Sequence, residues 1–119
     1  MEPVEINAGA WYLRALRADE RVDDRPALAE LGETRPDYIW RRAAQWQTDV
    51  AYSWAVCEPA TGELVAEVVL DLSTAALTRR ARAGYQNAAM AAEESVRRFP
   101  GDALPANRIQ TSRGSRSPG

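Results

Sequence analysis

Apolar and polar residues alternate along this chain with two different periods, and the switches between them mark its elements. The clearest two-residue period lies in "YSWAVCEPATGELVAEVVLDL", residues 52 to 72. Tyr52, Trp54 and Val56 alternate with Ser53, Ala55 and Cys57, "EPATGE" supplies Pro59 and Gly62 for a turn, and Leu64, Ala66, Val68 and Leu70 resume the alternation. This pattern predicts a β-hairpin. Its second strand is apolar on much of both faces, so it needs another strand on its far edge or a helix above it.

Upstream, "AWYLRALRADE" places Trp11, Leu13 and Ala15 on one face and Tyr12, Arg14 and Leu16 on the other, predicting a strand that ends near Leu16. "DDRPALAELGE" then predicts a short helix, with Asp24 as N-cap, Pro26 in the first turn, Leu28 and Leu31 on one face and Gly32 as the stop. In "TRPDYIWRRAAQWQTD" the helical period carries Ile39, Ala43 and Trp46, with Trp40 and Ala44 alongside, and turns Arg41, Arg42 and Gln45 to water. Downstream of the hairpin, "STAALTRRARAGYQNAAMAAEESVRRFPGD" shows no strand alternation. Leu77, Ala81, Tyr85, Ala88, Ala92, Val96 and Phe99 fall at helical spacing, which predicts one Ala/Arg-rich helix over about 73–99, capped by Thr74 and ended by Pro100 and Gly101. Residues 100–119 hold too few large apolar side chains to order themselves and are expected to be disordered.

Composition narrows the chemistry. The chain is 45% hydrophobic and 27% charged, within the range of globular domains. No apolar run approaches the roughly 18 residues of a membrane span, and the first residues lack a secretory pattern, so a cytoplasmic protein is expected. There is no histidine, which excludes Ser/His and Cys/His catalysis and most zinc sites; no metal site is expected. The lone Cys57 reads as a small buried hydrophobe. All 15 basic residues are arginine, which excludes Schiff-base chemistry and a P-loop lysine. Residues 1–72 hold 14 acidic residues and 7 Arg, whereas 73–119 hold 3 acidic residues and 8 Arg. That reversal, with an Arg, Ala, Ser, Gly and Pro tail, is what a shifted reading frame in a GC-rich gene produces; translating the coding DNA in the other two frames is the check.

The order of a strand, two short helices and an aromatic-rich strand turning through "PATGELV" resembles the N-terminal half of a GCN5-related N-acetyltransferase. The similarity runs over about residues 10–72 and is carried by "WYLRALRADE", "DYIWRRAAQWQTDVAYSWAV" and "EPATGELVAEVVL". It implies a partial α/β (α+β) fold of antiparallel strands with two short helices, in a chain organised as 1–72, 73–99 and 100–119. It also implies acetyl-CoA as cofactor and a small-molecule or peptide amine, such as a protein N-terminus, as acceptor. In that family a bulged fourth strand leads into a Q/R-x-x-G/A-x-G/A loop that opens a helix, where backbone amides hold the pyrophosphate. A carboxylate or water serves as base, and a tyrosine stands near the leaving thiolate. The sole formal loop match here is "QNAAMA", giving Gln86, Ala89 and Ala91 as cofactor-binding candidates. With no fourth strand expected, the chain reads as an acetyltransferase front half that lacks its cofactor motif. Ala66 and Val69 stand where many relatives have glycine.

Other candidates have plainer readings. Glu67 and Asp71 share a strand face and form an acid and base pair in principle, but they read as charges on the solvent side of the hairpin. The catalytic residues are left unassigned, and Tyr85 stands at the wrong point for the family's acid. Trp11, Trp40, Trp46 and Trp54 read as core and rim packing rather than an acceptor pocket. Arg108, Arg113 and Arg116, with no aromatic among them, do not make a nucleic-acid surface. The second function considered is a non-catalytic module that dimerises or captures a partner along the open edge of the strand "ELVAEVVLD" at 63–71. A three-stranded sheet of this kind is expected to be marginally stable.

Overall fold

Gly9, with φ +64°, turns the chain back on itself between two short strands, β1 (Ile6–Ala8) and β2 (Trp11–Arg14). A glycine with positive φ stands at the first position of this two-residue turn, where a II′ hairpin requires one. The computed structural model describes residues 1–99, and the expected disorder over 100–119 lies outside them. Two helices follow, α1 (Arg25–Glu30) and α2 (Tyr38–Gln47), then β3 (Ala51–Cys57), β4 (Leu64–Asp71), β5 (Ala76–Ala81) and the helix α3 (Gln86–Arg98). The five strands form one antiparallel sheet in the order β1-β2-β3-β4-β5, so the fold is α+β.

The segment after Leu72 departs from its expected form. Residues 76–81 are a strand, not the start of a helix, and they pair with β4 from Ala66↔Ala81 to Asp71↔Ala76. Thr74 caps no helix; its hydroxyl accepts from the Ala76 amide within a turn in which Asp71 Oδ1 accepts from the amide and hydroxyl of Ser73. The far edge of β4 is therefore covered, and the open edge proposed for it does not exist. β5 and α3 belong to the same sheet and core as the residues before Leu72. The expectation of marginal stability rested on three strands, and that basis goes too.

Each sheet face has its own cover. On one, Leu13, Tyr52, Trp54, Val56, Val68 and Leu70 pack under Ala88, Ala89, Ala92 and Val96 of α3. Trp46, from the end of α2, joins this core by stacking on Tyr52 at 4.4 Å between ring centroids and meeting Trp54 edge-on at 5.1 Å. On the other face, Leu16, Ala27, Leu28 and Tyr38 cover Ala55, Cys57 and Leu64. A register shift at Val56/Cys57 divides the β3–β4 pairing: Cys57 stands opposite Leu64 while Val56 stands opposite Ala66. The extra residue of this bulge lets Leu64 face α1 and Ala66 face α3, although both carry even numbers.

Two helical details differ from the sequence pattern. Asp24 precedes α1 as expected, but its carboxylate makes no capping bond. It takes both Arg14 guanidinium nitrogens, at 2.8 and 2.9 Å, and the Arg17 amide at 2.7 Å, and the Arg14–Asp24 pair is buried. In α2 the buried positions are Tyr38 and Trp46, with Arg42 between them half-buried, rather than the stripe through Ile39 and Ala43. Trp40 is consequently 73% exposed.

Candidate functional site

A carboxylate in the middle of a two-sided apolar strand anchors an extended hydrogen-bonded cluster of side chains. Glu67 sits in β4 within "LVAEVVLD" and is 2% exposed, not on the solvent side of the hairpin as expected. A buried carboxylate requires partners, and the chain supplies them from three elements. Tyr38, the first residue of α2, donates its hydroxyl proton to Glu67 Oε2 at 2.5 Å. Arg80, directly opposite Glu67 on β5, donates Nε to Oε1 at 2.7 Å. Arg80 Nη2 also donates to Glu33 Oε1 at 3.1 Å, and Glu33, in the α1–α2 connection, accepts from Arg35 at 2.8 and 2.9 Å. On the other side, Arg42 donates Nε to the Tyr38 oxygen at 3.0 Å and Nη1 to Gln45 Oε1 at 2.7 Å.

The result is an unbroken chain of charge-assisted hydrogen bonds from Arg42 through Tyr38, Glu67, Arg80 and Glu33 to Arg35. The Tyr38 ring is its centre: the guanidinium carbons of Arg35, Arg42 and Arg80 lie 5.2, 5.0 and 5.5 Å from the ring centroid. Burial raises the Tyr38 phenol above its ordinary pKa, and the Glu67 charge beside it adds to the effect, so it stays protonated and donating. The Arg35 guanidinium pulls the Glu33 carboxyl down to about 2, with the Arg35 amide and Arg80 contributing in the same direction against burial. Burial opposes the charge of Arg80, but Glu67, with Tyr38 and Glu33 acting in the same direction, holds the guanidinium up.

Beside this chain lies a polar cavity of about 230 Å³, whose lining includes Glu33, Arg35, Tyr38, Arg42, Glu67 and Arg80. A second, mainly apolar cavity of about 170 Å³, against Leu28, Ala29, Pro36 and Ile39, shares Glu33, Arg35 and Tyr38 with it. A carboxylate floor, a phenol and a guanidinium rim suit the binding of a small charged molecule and the movement of a proton at Glu67.

The other candidates are dispersed. Asp71 stands at the end of β4 in the turn with Ser73, away from the cavity lining, and the Ser73 hydrogen bond lowers its pKa. Gln86, Ala89 and Ala91 do not form a loop: all three lie inside α3, where Gln86 is exposed, Ala89 is in the core and Ala91 is half-buried. The actual connection from β5 into α3 is Arg82–Tyr85, turned at Gly84 with φ +89°. There the Arg82 amide donates to Val65 O at 2.9 Å, and its guanidinium is held by Glu30 and Glu63, each at 2.9 Å. Trp46 and Trp54 are core residues, Trp11 meets Tyr85 at 6.2 Å, and none of the four tryptophans is among the residues lining either cavity. Cys57 is buried, and burial pushes its thiol up to about 11, with the Asp24 charge adding and Arg14 opposing. Among the described residues no helix is long and apolar enough to cross a membrane.

No family model, no curated protein and no solved structure matches the chain.

Tyr38, Arg42, Glu33 and Arg80 were not singled out from the sequence. The signal that could have found them is Glu67 itself, because a charge flanked on both sides by apolar residues in a doubly buried strand must be paired across the fold.

Proposed function

We propose that this chain is an N-acetyltransferase-like domain that moves an acetyl group from acetyl-CoA to an amine, in the cytoplasm. The observation that carries this reading is β5. The family that residues 10–72 resemble needs a fourth strand running into a glycine-turned connection and a helix, and Ala76–Ala81, Gly84 and α3 follow in that order. The fit of the cofactor's pyrophosphate falls on that connection rather than on Gln86, Ala89 and Ala91. Ala83 and Gly84 are small and exposed, a Cβ built at Gly84 meets nothing within 4 Å, and the first turn of α3 holds no acidic side chain to repel a phosphate. Amides at the start of a helix lack intrahelical acceptors and suit an anion. One departure stands beside the fit: β5 pairs with β4 in unbroken register, without the bulge of the family's fourth strand.

Acetyl-CoA, when bound, would supply the acyl group as a thioester, whose C–S bond would break as the amine nitrogen bonds to the acyl carbon, releasing coenzyme A as its thiolate. The chain's own part is to seat the amine over Glu67, hold its ammonium there and accept its proton, with Tyr38 and Arg80 orienting the carboxylate. Calorimetric titration of the folded chain with acetyl-CoA tests the reading. Saturable binding that is weakened by Gly84→Val, a β-branched residue at φ +89°, is expected; a folded protein that binds no acetyl-CoA at millimolar concentration would overturn it. A second reading, a module that pairs through a sheet edge, moves from β4 to the outer side of β5, which no other strand pairs among the described residues. Gel filtration separates the two, since pairing along β5 yields a dimer.

A further inference from the structure

We infer that the cavity beside Tyr38 receives a free α-amino acid, with its carboxylate on Arg42 and Arg35 and its ammonium on Glu67. This rests on reading the cavity as the acceptor side of an amine acetyltransferase.

Charge gives the ligand its two ends. Three guanidiniums surround the Tyr38 ring, against two carboxylates, Glu33 and Glu67. Glu33 is taken by Arg35 and Arg80, and Glu67 by Arg80 and Tyr38. Arg42 is the exception: its bonds go to two uncharged oxygens, of Tyr38 and Gln45, and it forms no ion pair among the described residues. Asp71 reaches it through charge alone, with no hydrogen bond between them, and a half-buried guanidinium whose donors meet no carboxylate is a ready receptor for one. Arg35 adds a second: Glu33 takes its Nε and Nη2, and the side chain, 59% exposed, reaches the same ring.

The floor offers the opposite charge. A carboxylate has about four acceptor positions, and Glu67 uses one hydrogen bond at each oxygen. Arg42 and Glu67 both contact the Tyr38 oxygen, at 3.0 and 2.5 Å, so the positive and negative receptors stand on either side of one atom. That separation suits the ammonium and carboxylate of a single amino acid, which two bonds join through one carbon.

Size and surroundings complete the argument. About 230 Å³ is below the roughly 300–1,000 Å³ typical of sites for larger ligands. The adjoining apolar cavity, walled by Leu28, Pro36 and Ile39, gives an aliphatic side chain a place to lie. Leucine is therefore the probe of choice.

The test is calorimetric titration of the full chain, without cofactor, with L-leucine, L-leucinamide and 4-methylpentanoate. Leucine is expected to bind at least tenfold more tightly than leucinamide, which lacks the carboxylate, or 4-methylpentanoate, which lacks the amine. Arg42→Gln is expected to weaken leucine at least tenfold and to leave leucinamide unchanged, with a thermal melt confirming that the variant folds. Should Arg42→Gln unfold, Arg35→Gln, at an exposed guanidinium, must show the same selective loss. Leucinamide binding as tightly as leucine, wild-type affinity in the arginine variants, or no leucine binding by the folded protein would each overturn the assignment. Because acetyl-CoA is absent from the cell, the result is independent of the cofactor titration: leucine binding without acetyl-CoA binding keeps the amino-acid site and removes the acetyltransferase reading.

Discussion

Replacing Tyr38 by Phe removes one oxygen from the centre of the buried hydrogen-bond chain and leaves the ring in place. Glu67 then loses the donor at Oε2 and keeps only Arg80 at Oε1, and a water entering from the adjoining cavity restores at most part of the lost bond. A hydrogen bond to a buried charge contributes about 1.5–3 kcal/mol. The other partner is less sensitive, because Arg42 is half-buried and keeps Gln45. We therefore expect Y38F to destabilise the fold by about 2 kcal/mol, roughly a thirtyfold change in the folding constant at 1.4 kcal/mol per tenfold. For a domain of this size, about 1 kcal/mol corresponds to roughly 4–8 °C in Tm, so the midpoint should fall by about 8–16 °C. Urea unfolding followed by circular dichroism gives the free energy directly. A double-mutant cycle with Glu67→Gln isolates the pair and should return a coupling above about 1 kcal/mol. If Y38F unfolds within about 0.5 kcal/mol of the parent, or the two changes add without coupling, then the Tyr38–Glu67 bond does not hold the site and the reasoning fails.

Two further expectations rest on titrating groups. Glu33 has its carboxyl lowered from 4.5 to about 2, so its contribution is fully present above about pH 4.5 and is lost as pH falls towards 2. At about 1.4 kcal/mol per pH unit, less the screening at Arg35, which is 59% exposed, this is about 1–2 kcal/mol; Glu33→Gln should narrow the stability gap to the parent between pH 6 and 3 in urea titrations, and parallel pH profiles would contradict it. Cys57, with its thiol pushed up to about 11, should resist iodoacetamide at pH 8 in native buffer and react once urea unfolds the chain; complete alkylation of the folded protein within minutes would contradict the buried placement.

How much of this was legible in the sequence depended on how far apart the interacting residues lie. The β3–β4 hairpin announced itself because Tyr52, Trp54 and Val56 and their partners Leu70, Val68 and Ala66 all carry the alternation in apolar side chains. β5 hid because its alternation is written in charges. Arg79 and Arg80 are adjacent and read as a basic run, yet they point to opposite faces: Arg79 pairs with Glu93 of α3, and Arg80 with Glu67 and Glu33. The distance from Arg80 to Glu33 is 47 residues, beyond any local pattern. Leu77 and Ala81 then supply the few apolar contacts that remain, and in an alanine-rich segment they match helical spacing equally well. The face of α2 was misjudged for a related reason. Tyr38 is buried because its hydroxyl has Glu67 to reach, and periodicity weighs an apolar stripe without knowing which polar tips have partners. Asp24 carried a capping signature but was drawn away by Arg14, a competition that only the folded chain reveals.

The strand order β1-β2-β3-β4-β5 has a kinetic side. Every strand pairs with its predecessor, so three of the four strand pairings can form by closing short turns, at Gly9, at Glu58–Glu63 and from Asp71 to Ala76. Only the step from Arg14 to Ala51 must close a long loop, the one that contains α1 and α2. Loop closure grows only logarithmically with length, but here it also requires Asp24 to find Arg14 and Tyr38 to find Glu67, polar encounters that bring little stability until both partners are dehydrated together. We expect the slow event in folding to be the joining of the β1–β2 hairpin to the β3–β4–β5 meander across β2 and β3. The Tyr38–Glu67 hydrogen bond that lines the cavity is thus made only as the two halves of the chain meet.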